Sequence, residues 1–378
     1  MQVCLVGMSH YLDDDRMFYR EAASLSRAYE VEVVGAGCSR TRIVDKGIRI
    51  TSYGKMSRMR HPRSMLEVLL YLRSEKFDVL HCFDLESLAI AILASLPKRR
   101  ILIYDAHEHF PSMMARYFNL PRILSHLLEF LLDVIERYLA TFCDGFVVVN
   151  DALARRFEVF GKDVVTVRNV ASLSWYDDAP VREVLNDVTD PIVTSGGTLG
   201  QDKGLEEVAE AKLILEKAGI KCCFVLTGRV KEAPSSLRGP GFRLTGWLDY
   251  QTVPSYLRRA KVGLALIRPV NANAMMAQPN KLFAYLVAGL PVVATNLPSI
   301  KAIIEKAECG MLANPGSARD IAMGIAKLLK NEKLRTSMAR NARRAAESEF
   351  NWEKESETLL RLYERIQAKQ EARPVPAS

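Results

Sequence analysis

The sequence predicts an α/β protein of two similar-sized domains, each built on a parallel sheet, and three observations carry that prediction. Short β-branched runs alternate with amphipathic helical segments along the chain, the pattern of strands joined by crossover helices. The 378 residues are too many for one ordinary domain and comfortable for two of roughly 150–200 residues each. Between the two sets of strands, residues 171–190 (ASLSWYDDAPVREVLNDVTD) show no clear periodicity and carry Asp177-Asp178 and Pro180, which reads as a linker.

Strands of the first half are expected near Val3–Val6, Val31–Gly35, Asp78–His81, Ile101–Tyr104, Phe146–Val149 and Val164–Val167. Those of the second half are expected near Ile192–Ser195, Cys223–Thr227, Phe242–Leu244, Val262–Leu266 and Val292–Ala294. The boundaries that follow are a first domain over 1–170, the linker, a second domain over 191–350, a helix over 351–370 and a disordered tail over 371–378. The last helix carries Leu359, Leu360, Leu362, Tyr363 and Ile366, which give it one apolar face. In Leu120–Ala140 the polar residues Arg122, His126, Glu129, Asp133 and Glu136 are spaced four, three, four and three, and the rest is strongly apolar. Core packing is the expectation for that helix, with membrane or partner contact as the alternative.

Composition is that of a soluble globular protein, with 49% apolar and 25% charged residues. No run approaches the ~18 consecutive apolar residues of a membrane span. The start, MQVCLVGMSHY, lacks the basic head and cleavage site of a signal peptide and reads as a first strand, so a cytoplasmic location is expected, including the inner face of a membrane. Seven cysteines without a C-x-x-C pair argue against a disulfide framework and a zinc site.

The net charge of +8 suits polyanions, acidic lipids and phosphorylated substrates. It concentrates between Arg40 and Arg63, where eight basic residues face one acid. Toward its end Lys55, Arg58, Arg60 and Arg63 interleave with Met56, Met59 and Met65, a composition fit for anionic lipid or for a plain solvated loop. No stacking aromatic interleaves the cluster Lys55, Arg58, Arg60 and Arg63, so nucleic acid is not expected as a partner.

The most informative local feature is Ile192–Gly204, IVTSGGTLGQDKG, where a strand runs into Gly196-Gly197 and a helix follows from Leu205. Glycines at such a turn let backbone N–H groups approach a phosphate, and Lys203 sits where its ammonium can reach the same anion. The spacing is neither the dinucleotide fingerprint nor the P-loop. An ordinary glycine-rich turn with a solvated lysine is the bland reading. A second glycine turn, Thr227-Gly228-Arg229, follows the next strong strand, and loops at the carboxyl ends of strands in a doubly wound sheet share one crevice. Further on, Ala277–Val293 (AQPNKLFAYLVAGLPVV) opens a helix at Pro279 and ends it at Gly289. Gln278, Asn280 and Lys281 stand at that helix entrance, placed for sugar hydroxyls or phosphate, or for capping alone.

All six histidines precede residue 127, so imidazole chemistry belongs to the first half. His107 follows a strand ending in Tyr104-Asp105 and sits at a crevice edge; it and His109 would be a metal pair without a third ligand at useful spacing. Asp13-Asp14-Asp15 is expected to cap the helix that begins near Arg16.

Together these residues resemble the retaining glycosyltransferases of family 4 (glycosyltransferase group 1). The resemblance rests on Gly196-Gly197-Thr198-Leu199 with Lys203-Gly204, on Thr227-Gly228, on Pro279-Asn280-Lys281-Leu282-Phe283 with Tyr285 and Ala288-Gly289, and on Phe350-Asn351-Trp352. In the first half Asp78-Val79-Leu80-His81, Tyr104-Asp105-Ala106-His107-Glu108, Val149-Asn150 and Val167-Arg168-Asn169 match in order. It implies a GT-B architecture: two Rossmann-like doubly wound domains facing a central cleft, an N-terminal acceptor domain, a C-terminal nucleotide-sugar domain, and a last helix that returns to the first.

The activity implied is transfer of a sugar from a nucleoside-diphosphate sugar, such as a UDP- or GDP-sugar, to an acceptor hydroxyl with retention of configuration. Such a hexosyltransferase needs neither metal nor cofactor and would serve cell-envelope polysaccharide, glycolipid or glycoconjugate synthesis, with a lipid-linked acceptor and peripheral membrane contact in view. Implied catalytic residues are His107 and Lys203. Gly196, Gly197, Thr198, Lys203, Gly228, Arg229, Gln278, Asn280 and Lys281 are implied at the donor, and His107, Glu108, Arg58 and Arg60 on the acceptor side. Two positions depart from the family pattern. Thr198 stands where many members have arginine, and Ala284 stands where the family has the carboxylate that holds the ribose. Those departures motivate one rival, a non-catalytic binding or scaffold subunit; an epimerase of nucleotide-sugars on the same fold is the other.

Overall fold

In a computed structural model the chain is described over residues 1–11, 14–36, 40–45, 47–53, 61–118, 120–230, 237 and 239–371. It divides into two compact units, Met1–Arg168 with Glu355–Ser378, and Asn169–Lys354.

The first unit holds eight strands: β1 (Gln2–Tyr11), β2 (Glu30–Ala36), β3 (Arg40–Asp45), β4 (Ile48–Tyr53), β5 (Val79–Cys82), β6 (Ile101–Ala106), β7 (Gly145–Val148) and β8 (Asp163–Thr166). Their order is β3-β4-β2-β1-β5-β6-β7-β8, parallel throughout except for the β3–β4 hairpin. Runs such as Val3–Val6 and Ile101–Tyr104 are buried on both faces, as expected of parallel strands covered by helices. Those helices are α1 (Asp15–Ala22, wound as a π-helix), α2 (His61–Ser74), α3 (Leu85–Ser95), α4 (Phe110–Tyr117), α5 (Arg122–Ala140) and α6 (Asp151–Glu158). Asp14 caps α1 as its acidic run suggested, its Oδ1 accepting from the N–H groups of Arg16 and Met17 at 3.0 Å.

In the second unit α7 (Leu173–Asp177) precedes six parallel strands: β9 (Ile192–Gly196), β10 (Cys223–Thr227), β11 (Phe242–Gly246), β12 (Ala260–Ala265), β13 (Val292–Thr295) and β14 (Gly310–Ala313). The order β11-β10-β9-β12-β13-β14 reverses direction beside β9. Helices α8 (Leu205–Lys217), α9 (Val253–Arg259), α10 (Ala272–Met276), α11 (Asn280–Val287), α12 (Pro298–Ala307), α13 (Ala318–Lys330) and α14 (Glu332–Ser348) complete it. Val193, Val208, Leu264, Val293, Ile321 and Ile325 meet in its core.

Helix α15 (Trp352–Glu371) ends the described chain, and from Glu355 onward it belongs to the first unit. Its apolar face is buried there at Leu359, Leu362, Tyr363 and Ile366. The expected tail lies outside the described residues beyond Glu371.

Three expectations need correction. Residues 171–190 do not run as a linker; they pack on the second unit. Trp175 stacks on Tyr250 at 4.8 Å between ring centroids and donates through Nε1 to its carbonyl, and the Arg182 N–H donates to Ser255 Oγ at 3.1 Å. Strands β3, β4 and β14 were not anticipated. Finally, α5 is turned the other way from a core helix. Its polar edge faces inward, where Glu136 accepts from Tyr104 Oη at 2.9 Å and Arg156 pairs with both Glu136 and Asp133. The apolar side chains Ile123, Leu127, Phe130, Val134 and Tyr138 are left exposed. No helix among the described residues is long and apolar enough to cross a membrane.

Candidate active site

Ligand crevices in doubly wound sheets open at the carboxyl ends of strands where the strand order reverses. In the second unit that point is the end of β9, which lies between β10 and β12. The chain leaves β9 at Gly196-Gly197 and leaves β10 at Thr227-Gly228, and the two turns touch. The Gly197 N–H donates to Thr227 O at 2.8 Å, and the Leu199 N–H donates to Arg229 O at 2.9 Å. Gly228 has φ +128, and a Cβ there would stand 2.1 Å from Gly197 O. Only glycine fits, in both conformation and space.

After Gly200, a 3₁₀ turn over Gln201–Lys203 leads into α8. Lys203 is 34% exposed with Nζ 3.3 Å from Asp202 Oδ2. From the other side, α11 delivers Lys281 to the same place, its Nζ 3.4 Å from Ser195 Oγ. Burial, and then the neighbouring Lys203 charge, lower the Lys281 ammonium to about 7, with Asp202 opposing them. Two lysines that disfavour each other thus stand beside the two glycine turns and concentrate positive charge at the carboxyl end of β9.

Tyr285 supports this floor from beneath. Its hydroxyl accepts from the Gly196 N–H at 3.2 Å, and its ring fills the space over Gly263. Thr198 and Arg229 are exposed, and the Gln278 side-chain oxygen is buried without a hydrogen-bond partner among the described residues. Asn280 is the first residue of α11, with Pro279 as N-cap. Ala284 is half-buried on the same helix.

Sequence reasoning missed Arg268. Its N–H donates to Asp202 O at 2.9 Å, and its guanidinium pairs with Glu207 at 2.6 Å and Glu206 at 3.0 Å. It thereby ties the Lys203 turn to the start of α8. The available signal was Arg268-Pro269 just past a strand end.

The first unit holds a second cluster at the ends of β5 and β6. Asp105 is fully buried, and Arg16 from α1 lies 2.8 Å from its Oδ2. Arg16 also lies 2.9 Å from Glu21 Oε1 and donates to Val167 O at 3.0 Å. Burial works to raise the Asp105 carboxyl, but the Arg16 charge outweighs it and holds the group well below the usual carboxylate range. Glu21 goes the other way: burial raises it despite Arg16. His81, fully buried with Nδ1 2.8 Å from Tyr363 Oη, is lowered to about 4 by burial.

His107 sits at the mouth of this cluster, with Nδ1 3.3 Å from Asp105 O and 3.7 Å from Asp105 Oδ1. Burial lowers its affinity for a proton, yet the Asp105 carboxylate prevails and the imidazole is raised above its ordinary value. Glu108 adds negative charge nearby.

His109 Nδ1 lies 2.9 Å from Ser112 Oγ and caps α4, while His107 turns its Nδ1 toward Asp105. Glu21, His81 and Asp105 bring ligand-type atoms within 4.8 Å of one another, but the Arg16 guanidinium already supplies the positive charge there. Arg58 and Arg60 lie outside the described residues.

Comparison with known proteins follows the same division. Residues 15–174 match the family described as Glycosyltransferase Family 4, and residues 190–331 match Glycosyl transferases group 1. A phosphatidyl-myo-inositol mannosyltransferase of Mycolicibacterium smegmatis is 23% identical over 353 residues, covering 89% of this chain and 86% of the relative. An alpha-D-kanosaminyltransferase of Streptomyces kanamyceticus is 24% identical over 183 residues, 47% of this chain and 46% of the relative. Among solved structures, sucrose-phosphate synthase of Thermosynechococcus elongatus superposes with a TM-score of 0.74 at 14% identity, covering 98% of this chain and 100% of that one. HepE of Anabaena, solved with UDP, gives 0.70 at 14% identity, covering 97% of this chain and 100% of that one. Two parallel-sheet domains of GT-B type, the first matching Glycosyltransferase Family 4 and the second Glycosyl transferases group 1, together support a glycosyltransferase of GT-B type.

Proposed function

We propose that the second domain binds a nucleoside-diphosphate sugar and that the enzyme transfers its sugar, with retention of configuration, to a hydroxyl held by the first domain. The observation that carries this reading is the convergence of the Gly197 and Gly228 turns with Lys203 and Lys281. Two ammonium groups beside these turns stabilise a departing diphosphate electrostatically. Lys203, the more exposed, meets the anion directly. Lys281 becomes fully charged as the diphosphate arrives, so binding near neutral pH takes up a proton.

The Asp105 carboxylate raises the proton affinity of His107 and so favours its imidazole as a hydrogen-bond donor to an oxygen of the sugar or acceptor. The lysines provide for the leaving group without a metal ion in the scheme. Ala284 leaves the ribose without the carboxylate the family uses, so base and ribose contribute less affinity here than the diphosphate. A lipid-linked acceptor at the cytoplasmic face of a membrane suits the basic stretch at Arg40–Arg63 and the name of the mannosyltransferase relative.

A thermal-shift series with UDP, GDP, ADP and dTDP, followed by transfer assays with sugars of the bound nucleotide, tests the proposal. A diphosphate-dependent rise in melting temperature, abolished in Lys203→Ala, is expected, with an α-linked product from an α-linked donor. No shift with any diphosphate, or an inverted product, would overturn it.

A further inference from the structure

The outward face of α5 has no role in the site described above. Ile123 is 82% exposed, Leu127 52%, Phe130 63% and Tyr138 64%, and Val134 completes this row at spacings of four, three, four and four. Leu124, Leu131 and Ile135 form a second exposed row beside it. No charged side chain interrupts either row; the acids Asp133 and Glu136 point inward to Arg156. At about 100 Å² of exposed surface per side chain, these eight residues present roughly 800 Å², beyond the largest patch of a typical monomer.

We propose that this face seats a second copy of the chain, pairing α5 with its symmetry mate in a two-fold dimer. Area is the first argument. Roughly 800 Å² per partner is what a stable protein–protein interface buries, and a face depleted of charge is the composition of homodimer cores. Spacing is the second: a four-three-four row on a 19-residue helix is the seam by which one helix packs against a like helix. Charge is the third, because it sets the partner apart from a lipid surface. Interfacial helices carry a basic polar face, whereas α5 has two arginines against three acids and gains nothing from an anionic leaflet.

The test is the solution mass of the full chain by light scattering and sedimentation, from low to high micromolar concentration. The wild type is expected at twice the chain mass. Phe130→Glu is expected to weaken the dimer roughly a hundredfold or more, since association would bury an unpaired carboxylate. Ile123→Lys, at the most exposed position of the row, repeats the measurement where no core contact is disturbed, and an unchanged melting temperature shows that the fold is intact. Leu131→Cys should join two chains through a short bis-maleimide; all six described native cysteines are buried. A monomeric wild type at high micromolar concentration overturns the proposal, as does a dimer indifferent to both substitutions. Sedimentation of a monomer with vesicles of equal phosphatidylglycerol and phosphatidylcholine, lost in Phe130→Glu, also overturns it and makes the occupant a membrane.

Discussion

Gly228 is the residue whose substitution most directly probes the donor site. Alanine would meet Gly197 O at 2.1 Å in a conformation with φ +128, so the two turns must part. Backbone strain of this kind costs about 1–3 kcal/mol. We therefore expect Gly228→Ala to weaken nucleoside-diphosphate binding by at least tenfold in calorimetry while both domains still melt cooperatively; binding at wild-type strength would show that the turns do not hold the ligand. His107 offers a second measurement. Its raised proton affinity depends on Asp105, so Asp105→Asn should move the His107 titration, followed by imidazole NMR, to lower pH. The same change leaves Arg16 buried without its carboxylate partner and destabilises the first domain by several kcal/mol. A His107 titration that stays in place would remove Asp105 from any role in tuning it.

At the scale of elements, α11 carries both the gain and the loss of this site. It brings Lys281 to Ser195 and Tyr285 to Gly196, yet Ala284 presents no hydrogen-bonding group one turn further on. A charged hydrogen bond is worth about 1.5–3 kcal/mol. Ala284→Glu should tighten nucleoside-diphosphate binding by about tenfold or more, and inorganic diphosphate should gain nothing; equal effects on both would mean the new carboxylate does not reach the ribose. Element by element, the hydrophobic strands of both sheets were legible because parallel strands buried on both faces are continuous apolar runs. The hairpin β3–β4 was not, since Arg40, Arg42, Lys46 and Arg49 mask its alternation. The β14 sequence Gly-Met-Leu-Ala has no β-branched residue to mark it. The facing of helix α5 is not legible in sequence, because its polar spacing announces a two-faced helix without saying which face turns inward. That choice is made by Tyr104 and Arg156, which sit on other elements and offer Glu136 and Asp133 their partners. In the same way the glycine turns, Lys203, Lys281 and His107 stand out in sequence, while Arg268 and the Arg16–Asp105–Glu21 cluster depend on contacts between distant segments.

Across the whole molecule, the last helix closes on the first domain through a titratable contact, and this makes stability sensitive to acid in a definite direction. His81 is packed among Arg16 and Glu21 of α1, Asp105 of β6 and Tyr363 of α15, and burial lowers it from 6.5 to about 4. A folded state that refuses a proton the unfolded chain accepts has its full stability above pH 6.5 and loses it as pH falls toward 4. The loss through His81 is about 3 kcal/mol at its limit. His107 acts in the opposite sense: its raised value adds stability below 6.5 and withdraws it at higher pH. Comparing wild type with His81→Asn separates the two, because His107 is common to both. Trp175, Trp247 and Trp352 all lie within 169–354, so tryptophan fluorescence reports the second unit. Hydrogen exchange of the β5 and β6 amides reports the first. Between pH 6.5 and 4.5 the opening free energy of the wild-type first domain should fall more steeply than that of His81→Asn, and the two should converge toward the acid end. Parallel slopes would mean that His81 takes up its proton in the folded protein and that the Tyr363 contact does not depend on its neutrality.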